Sequence, residues 1–353
     1  MPKVAVSRLM TALLPALACT LALAALSALS SGGCKRDRAN DSAGGGGTGA
    51  KVRLTLDWKP EPEFGGFYAA RENGVFARHG LDVEVKTAGE GAPAWQLVDR
   101  GATEFATTAA DQVVIARANG HDVVALFAVY QTSPQGIMVH RARGFTKIED
   151  VFANPGTLAA ENNPWLKYLR KRFGGGPRTG LRPPQVKITG YSGGVAAFLA
   201  KPDHSQQCFI FSEPILAAKQ GGDPQTFLIA DAGYNPYTTV VIAKGDYVRK
   251  NPQIVASLVA ACREGWQAYL DDPGPTNAVM GKLNRDMDAE TFAAGAKAQE
   301  PLVRTRQTKA GGLGTMTKER WAALGQQLVE AGVITEAPPA ESCFAEVGPP
   351  AGK

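Results

Sequence analysis

The chain has 353 residues, of which 44% are hydrophobic and 20% are charged, and its formal net charge is +5. This length and composition predict a globular protein that is large enough for two lobes with substantial cores. The net charge is small, and the sequence has no basic stripe interleaved with aromatic residues. Nucleic acid is therefore not expected as a partner.

The first 33 residues have the pattern of a secretory signal peptide. Lys3 and Arg8 precede an apolar run over residues 13–29, and small residues then lead to Cys34. The Gly-Gly-Cys end resembles the processing box of bacterial lipoproteins, in which the cysteine becomes the lipidated first residue. Lipid chains on Cys34 would anchor the protein without a spanning helix. The alternatives are ordinary cleavage with a structural Cys34 and an uncleaved anchor.

Residues 34–50 are polar and rich in glycine, with no apolar periodicity. We therefore expect the lipidated cysteine to be followed by a flexible tether. Such a tether would let an anchored globule hold a solute and still reach a membrane partner. Together these features predict a membrane-anchored protein of the periplasm or cell surface.

The stretch 54–76 combines a strand end, a tight turn and a helix start. Apolar and polar residues alternate up to Leu56, as in a half-buried strand, and the prolines that follow cannot continue the ladder. Ligands of open α/β sheets bind at the carboxyl ends of strands, where helix amino termini offer free N–H groups. The ligand-binding residues expected here are Asp57, Trp58, Phe64, Gly65, Gly66 and Tyr68. Alternatively, Trp58 and Phe64 are core residues and Asp57 caps a turn.

Strand and helix patterns alternate along much of the remaining chain. Further strands are predicted over 81–85, 104–108, 123–130, 137–139, 157–160, 186–189, 208–211, 227–230 and 238–243. Helices are predicted over 92–98, 111–119, 165–173, 195–199 and 214–220, with later helices that begin at Asn251 and Thr317. This alternation implies two mainly parallel sheets covered by helices, joined by crossings near Ser133 and near Ala232.

Several polar residues fall at the predicted strand ends or at the second crossing. Those expected to face a ligand are Thr107, Thr108, Glu161, Glu213, Tyr234, Asn235 and Tyr237. Carboxylates at such positions can accept hydrogen bonds from an amino or ring nitrogen. Alternatively, Glu213 is a helix-start charge that the helix dipole favours, and residues 234–237 form a rigid hinge.

Residues 190–194, Gly-Tyr-Ser-Gly-Gly, fit the hydrolase pattern G-x-S-x-G. A Ser…Asp…His triad would need a histidine downstream, and the only one after Ser192 is His204, too near in sequence to come from a later loop. We therefore expect Ser192 and Gly193 to donate hydrogen bonds to an anionic or carbonyl group of a ligand. A plain helix-start turn is the alternative.

The histidines and cysteines give no sign of a metal centre. The four histidines have no zinc-ligand spacing, so neither a metal nor a cofactor is expected. Cys208, Cys262 and Cys343 follow Cys34, and an odd number allows at most one disulfide among the three. Three buried thiols are the alternative.

The segment 56–85 resembles the opening of the substrate-binding proteins of ABC transporters that include the binders of thiamine pyrimidine precursors. Their pattern is met here by Leu56, Asp57, Trp58, Pro60, Gly66, Tyr68, Ala70, Gly74, Phe76, Gly80, Leu81 and Val83. The likeness extends more weakly from about residue 51 to about residue 302. One departure is Phe64, which stands where the pyrimidine-precursor members and a related pyrimidine synthase have a histidine. Residues 233–237 replace the cysteine-rich segment of that synthase.

The resemblance implies an α/β protein with the two-lobe periplasmic-binding-protein fold, also called the type II or venus-flytrap fold. Each lobe would be a mainly parallel sheet flanked by helices, and two hinge crossings would join the lobes. The expected boundaries are 51–133 with 235–335 for the first lobe, 134–234 for the second, and a loose tail over 336–353.

The resemblance also implies capture of a small, flat nitrogen heterocycle, such as a thiamine pyrimidine precursor. A monomer would deliver it to an ABC permease and its ATPase, without enzymatic activity. Stacking on Trp58, helped by Tyr68 or Tyr237, and hydrogen bonds to Asp57 and Glu213 would hold the ligand. A pyrimidine-synthase-like enzyme and a lipid-anchored sensor are the alternatives.

Overall fold

The computed structural model describes residues 49–88, 93–174 and 185–348. The predicted signal peptide, Cys34 and the tether up to residue 48 lie outside these residues and stay predictions. The predicted tether extends one residue too far, because Ala50 already begins the first strand. Within the described ranges, no helix is both long and apolar enough to cross a membrane.

In the part of the chain that the structure describes, ten strands form two sheets. They are β1 (Ala50–Leu56), β2 (Leu81–Thr87), β3 (Phe105–Thr108), β4 (Val123–Tyr130), β5 (Gln135–His140), β6 (Gly156–Ala159), β7 (Val186–Thr189), β8 (His204–Phe209), β9 (Pro224–Leu228) and β10 (Thr238–Lys244). The first sheet has the order β2-β1-β3-β10-β4 and the second β7-β6-β8-β5-β9. In each sheet one strand, β10 or β5, runs antiparallel to both neighbours.

Helices flank both sheets. They are α1 (Gly65–Glu72), α2 (Val75–Arg78), α3 (Ala94–Asp99), α4 (Ala110–Ala118), α5 (Glu149–Ala153), α6 (Pro164–Phe173), α7 (Ala196–Ala200), α8 (Glu213–Lys219), α9 (Gly245–Lys250), α10 (Pro252–Asp271), α11 (Gly274–Leu283), α12 (Ala289–Val303), α13 (Arg306–Gly311), α14 (Lys318–Glu330) and α15 (Ala340–Cys343). We call the first sheet with α1–α4 and α9–α15 lobe I, and the second sheet with α5–α8 lobe II.

The chain crosses between the lobes twice. The first crossing, residues 131–134, joins β4 to β5, and the second, residues 229–237, joins β9 to β10. Asn235 ties the two together, because its side-chain oxygen accepts a hydrogen bond from the backbone N–H of Ser133 at 2.8 Å. The predicted α/β architecture, with two mainly parallel sheets and two crossings, is thereby confirmed.

The strand β8 begins four residues earlier than predicted and ends two residues earlier. Its residues 204–207 are polar but buried, because β8 is an inner strand paired with β6 on one side and β5 on the other. Gln206 and Gln207 keep hydrogen bonds there, to the carbonyl of Gly194 and from the N–H of Glu161, both at 2.8 Å. The sequence-based prediction followed hydrophobicity and therefore missed this polar strand.

The described part of the predicted loose tail, up to residue 348, is packed against lobe I. It forms α15, and the ring of Phe344 stacks on Trp321 with centroids 5.9 Å apart. The N–H of Ala345 donates to the carbonyl of Ala125 in β4. These contacts correct the expectation of a loose segment over these residues.

Cys208, Cys262 and Cys343 are all free and buried. The alternative of three buried thiols therefore describes the structure, and no disulfide joins them. Burial raises the pKa of Cys208 and of Cys262, so neither thiol is prone to ionise.

Candidate functional site

A cleft of about 820 Å³ lies between the two lobes. Strand ends and helix starts of both sheets line it, as expected for an open α/β sheet. Of the predicted ligand-binding residues, the cleft is lined by Asp57, Trp58, Thr108, Glu161 and Tyr234. The crossings contribute Ser133, Ile229 and Pro236, so the cleft floor is the part of the molecule that joins the lobes.

Asp57 follows β1 and is held by Thr107 at the end of the neighbouring strand β3. Its N–H donates to Thr107 Oγ1 at 2.9 Å, and the Thr107 hydroxyl donates to Asp57 Oδ1. The carboxyl is accessible from the cleft, but the surrounding protein removes much of its bulk water and raises its pKa, while the Thr107 hydrogen bond opposes this rise. Thr107, which was predicted to face a ligand, is fully buried and does not line the cleft.

Trp58 presents an indole to the cleft with 54% of its surface exposed. Its Nε1 donates to Glu61 Oε1 at 3.3 Å, which fixes one edge of the ring. A large exposed aromatic face beside a few polar groups is typical of ligand pockets. The alternative that Trp58 is a core residue is therefore wrong.

Glu161 and Trp165 line the cleft from lobe II. Glu161 follows β6; its N–H donates to Gln207 Oε1 at 2.8 Å, and Asn163 Nδ2 donates to its carboxylate at 3.1 Å. Pro164 begins α6 and places Trp165 one residue later. Trp165 is only 4% exposed, and its Nε1 has no hydrogen-bond partner in the described structure.

Tyr234 and Asp111 form a buried pair at the cleft floor. The Tyr234 hydroxyl donates to Asp111 Oδ2 at 2.9 Å, across the junction of the second crossing and α4. Burial raises the pKa of Asp111, and the hydrogen bond from Tyr234 partly opposes this. Asp111 was predicted only as the first residue of the helix 111–119, yet its side chain also lines the cleft.

The cleft is acidic. Among the residues that the structure describes, its charged lining residues are Asp57, Asp111, Glu161 and Lys59. Lys59 Nζ is 2.8 Å from Asp286 Oδ2, so its charge is already paired at the rim. Hydrogen-bond donors and positive charge are therefore the ligand features that this cleft best complements.

Phe64 and Tyr68 were predicted to face a ligand, but they belong to the core of lobe I. Phe64 is fully buried and Tyr68 is 2% exposed. Gly65 and Gly66 lie below α10 rather than beside the cleft. A Cβ at Gly65 would be 2.1 Å from the Tyr269 ring and one at Gly66 2.2 Å from Trp266, so these glycines allow α1 to approach α10 closely.

Asn235 and Tyr237 were also predicted in the site, but they stabilise the second crossing. The Asn235 carbonyl accepts two hydrogen bonds from the Arg320 guanidinium, which lies 3.9 Å above the Tyr237 ring. The Tyr237 hydroxyl accepts the N–H of Thr317 at 3.0 Å. The alternative of a rigid hinge fits these two residues.

Glu213 lies behind the cleft wall. Its carboxylate accepts the Tyr191 hydroxyl and the Phe209 N–H, each at 2.8 Å, and it is not part of the lining. Ser192 and Gly193 are exposed outside the cleft lining. The ring nitrogens of buried His204 have no partner in the described structure, so Ser192 does not bond to it as a hydrolase triad would require.

Several lining residues were not predicted. They include Gln112, Ser133, Gln135, Asn163, Trp165, Phe209 and Ile229. Asn163 and Trp165 carried a usable signal, because Asn-Pro-Trp at a helix start directly follows a strand. Gln112 and Gln135 carried none, since an isolated glutamine on a helix or strand does not reveal which face it occupies.

A ligand-sized cleft between two sheets joined by two crossings is the architecture of periplasmic binding proteins. The sequence matches the family described as "NMT1/THI5 like" over residues 61–275. The chain belongs to this family, which confirms the resemblance inferred from its opening segment. A formylaminopyrimidine-binding protein of Halalkalibacterium halodurans is 23% identical over 279 residues, covering 76% of this chain and 82% of that protein.

Solved structures agree on the fold. The periplasmic aliphatic sulphonate binding protein SsuA of Escherichia coli superposes with a TM-score of 0.65 at 14% identity, covering 86% of this chain and 94% of that chain. The alkanesulfonate-binding protein SsuA of Xanthomonas axonopodis pv. citri, bound to MOPS, gives 0.60 at 11% identity, covering 84% and 99%. At such identities the likeness establishes the architecture alone.

Proposed function

We propose that this protein captures a small nitrogen heterocycle related to pyrimidine between its lobes and delivers it to an ABC importer. The observation that carries this proposal is an acidic cleft with an exposed indole, Trp58, beside the carboxylate of Asp57. Stacking suits a flat ring, and carboxylates suit its amino or protonated ring nitrogens. The formylaminopyrimidine-binding relative supports the same ligand class.

The lobes would close on the ligand by a hinge motion about the two crossings. Glu161 and Trp165 of lobe II would then approach a ring held by Trp58. Closure would present a new surface to the permease and its ATPase. The chain would act as a monomer, with boundaries between the lobes near residues 133 and 235.

The test is thermal unfolding of the purified protein with formylaminopyrimidine, other thiamine precursors, thiamine, riboflavin, nucleobases and MOPS. A compound that binds only the native state stabilises it by about 2.7 kcal/mol at a hundredfold excess over its Kd. We expect a shift with formylaminopyrimidine that is lost in Trp58→Ala, and none with MOPS. A shift with MOPS alone would contradict the proposed ligand class.

We also propose that the protein is a lipoprotein anchored through Cys34, outside the cytoplasm. The signal-like segment ahead of Cys34 supports this location. Replacing Cys34 with alanine should move the protein from the membrane fraction to the soluble fraction of the cells that export it. Membrane retention of the alanine variant would favour an uncleaved anchor.

A synthase-like enzyme is the less favoured function. Its expected histidine is replaced by Phe64, which is fully buried and cannot reach a ligand in the cleft. A lipid-anchored sensor would use the same cleft and closure, and would differ in its membrane partner.

A further inference from the structure

Glu61 joins the cleft tryptophan to the opposite lobe. One of its carboxylate oxygens accepts Trp58 Nε1 at 3.3 Å, and the other accepts the hydroxyl of Ser212, a lobe II residue, at 3.2 Å. Glu61 does not line the cleft, and sequence reasoning gave it no role. Its two oxygens therefore connect a residue that would contact the ligand with one that would move with lobe II.

The lobe II end of this connection is held firmly. Phe211, next to Ser212, is fully buried in the core of lobe I. Glu213, on the other side, is fixed by hydrogen bonds from Tyr191 and from the Phe209 N–H. Ser212 thus lies at the junction of the lobes, between a residue buried in lobe I and a residue bonded within lobe II, and a change in the relative position of the lobes would alter its contact with Glu61.

We propose that Glu61 is a positioning residue that sets the orientation of Trp58 according to the position of lobe II. This role rests on the proposed function for its purpose, since Trp58 is the surface on which a ring would stack. Lobe movement that displaces Ser212 would release one oxygen of Glu61, and the indole held by the other oxygen would reorient. Conversely, a ligand that stacks on Trp58 and reorients the indole would change the contact between Glu61 and Ser212.

The charges around Glu61 make this contact sensitive to pH. Burial and the negative charge of Glu213 raise the pKa of Glu61 from its usual 4.5 to about 7, while Ser212, Trp58 and Lys59 oppose the rise. Glu63 on the same turn is buried, and its pKa is raised well above 4.5 by burial and by the negative charges of Glu61, Asp57 and Glu213. The hydroxyl of Tyr130 in β4 lies near Glu61 and Glu63 and stays neutral, because burial and these carboxylates raise its pKa.

The neighbouring contact between α8 and α12 is an ion pair of Lys219 with Asp288 and Glu290, at 2.7 and 2.8 Å. The direction of the pH effect follows from the raised pKa of Glu61. The stability that protonated Glu61 contributes is present in full below its free pKa of 4.5 and is lost as the pH rises through about 7, where the carboxylate that accepts the hydrogen bonds of Trp58 and Ser212 forms.

The experiment is fluorine NMR of the purified protein labelled with 5-fluorotryptophan, without ligand. The five tryptophans give five resonances, and loss of one in Trp58→Phe assigns Trp58. We expect this resonance to move with pH in the wild type with a midpoint near 7, and not to move in Glu61→Gln. In Ser212→Ala the midpoint should rise, because a hydrogen bond that lowers the pKa of Glu61 is lost.

Glu290→Gln is the matched control, because it removes a carboxylate at the same lobe contact that does not bond to Glu61. It should leave the Trp58 midpoint unchanged. A Trp58 resonance that titrates equally in Glu61→Gln would overturn the role of Glu61. A midpoint unaffected by Ser212→Ala would overturn the coupling to lobe II.

A binding experiment tests this inference separately from the proposed function. Calorimetry with formylaminopyrimidine should give about two- to tenfold weaker binding to Glu61→Gln than to wild type, the effect of one hydrogen bond. No binding to the wild type would refute the proposed ligand while the ligand-free resonances still decide the coupling. Equal binding to both proteins would refute a role for Glu61 in ligand stacking.

Discussion

Phe211 of lobe II stacks on Tyr130 of lobe I, with ring centroids 5.6 Å apart and planes 19° from parallel. Phe211 follows the inner strand β8 but is fully buried among lobe I residues. The Tyr130 hydroxyl donates to Gln299 Oε1, which orients its ring. The lobes therefore share a buried aromatic contact in addition to the two crossings.

Replacing Phe211 with alanine should lower the free energy of unfolding by about 3–5 kcal/mol, because it empties a fully buried site. It should also remove the aromatic contact that joins the two lobes. Urea unfolding measures the first effect. Phe209→Ala is the control, since Phe209 touches Phe211 but is only partly buried, and it should cost clearly less. Equal losses of unfolding free energy in the two variants would show that Phe211 contributes no more to stability than Phe209.

Trp58→Ala should weaken binding of a pyrimidine-like ligand without unfolding the protein. Stacking of a base on an aromatic side chain contributes about 1–3 kcal/mol, or roughly five- to 150-fold in Kd. Calorimetry measures the affinity and urea unfolding the stability. Leu283→Ala is a matched control, because Leu283 is 55% exposed and does not line the cleft. Comparable loss of binding in both variants would contradict stacking on Trp58.

Much of the fold could be predicted because burial leaves a periodic pattern in the sequence. The strand Val123–Tyr130 is almost continuously apolar, and its predicted bounds agree with the structure. The strand β8 could not be predicted in this way. Its polar residues 204–207 are buried because their hydrogen-bond partners come from distant parts of the chain, which periodicity does not reveal.

The candidate site could be predicted from the sequence about as well as the fold. Asp57, Trp58 and Glu161 follow strands directly, and topology alone brings strand ends to one cleft. Phe64 and Tyr68 lie on the same segment but face inward, since α10 packs against α1 from almost two hundred residues away. Which side of a short helix meets a distant helix is decided by tertiary packing, and the local sequence does not record it.

Thr107→Val should raise the pKa of Asp57 further, because it removes a hydrogen bond that lowers this pKa. A proton on Asp57 competes with ligand donors, so the pH above which the ligand binds well should move upward. Calorimetry across pH measures this shift. Thr55→Val is the control, because it removes a buried hydroxyl bonded to Thr103 at 3.0 Å, away from Asp57. It should cost about 0.5–1.5 kcal/mol of stability and leave the pH profile unchanged.

Tyr234→Phe should destabilise the protein by an amount that grows with pH. The Tyr234 hydroxyl donates to Asp111, whose pKa is raised above 3.8 by burial, so ionised Asp111 costs stability as the pH rises. The hydrogen bond offsets part of this cost, and the variant loses about 1–3 kcal/mol once Asp111 is ionised.

Urea unfolding of Tyr234→Phe and wild type at about pH 4 and about pH 8 measures this difference at both ends of the range. Tyr168→Phe provides the comparison, because the Tyr168 hydroxyl donates to the backbone carbonyl of Ala232, which does not titrate. Its cost should be the same at both pH values. A cost of Tyr234→Phe that is equally independent of pH would mean that Asp111 stays protonated throughout, and the cleft floor would then present a neutral acid to the ligand rather than a carboxylate.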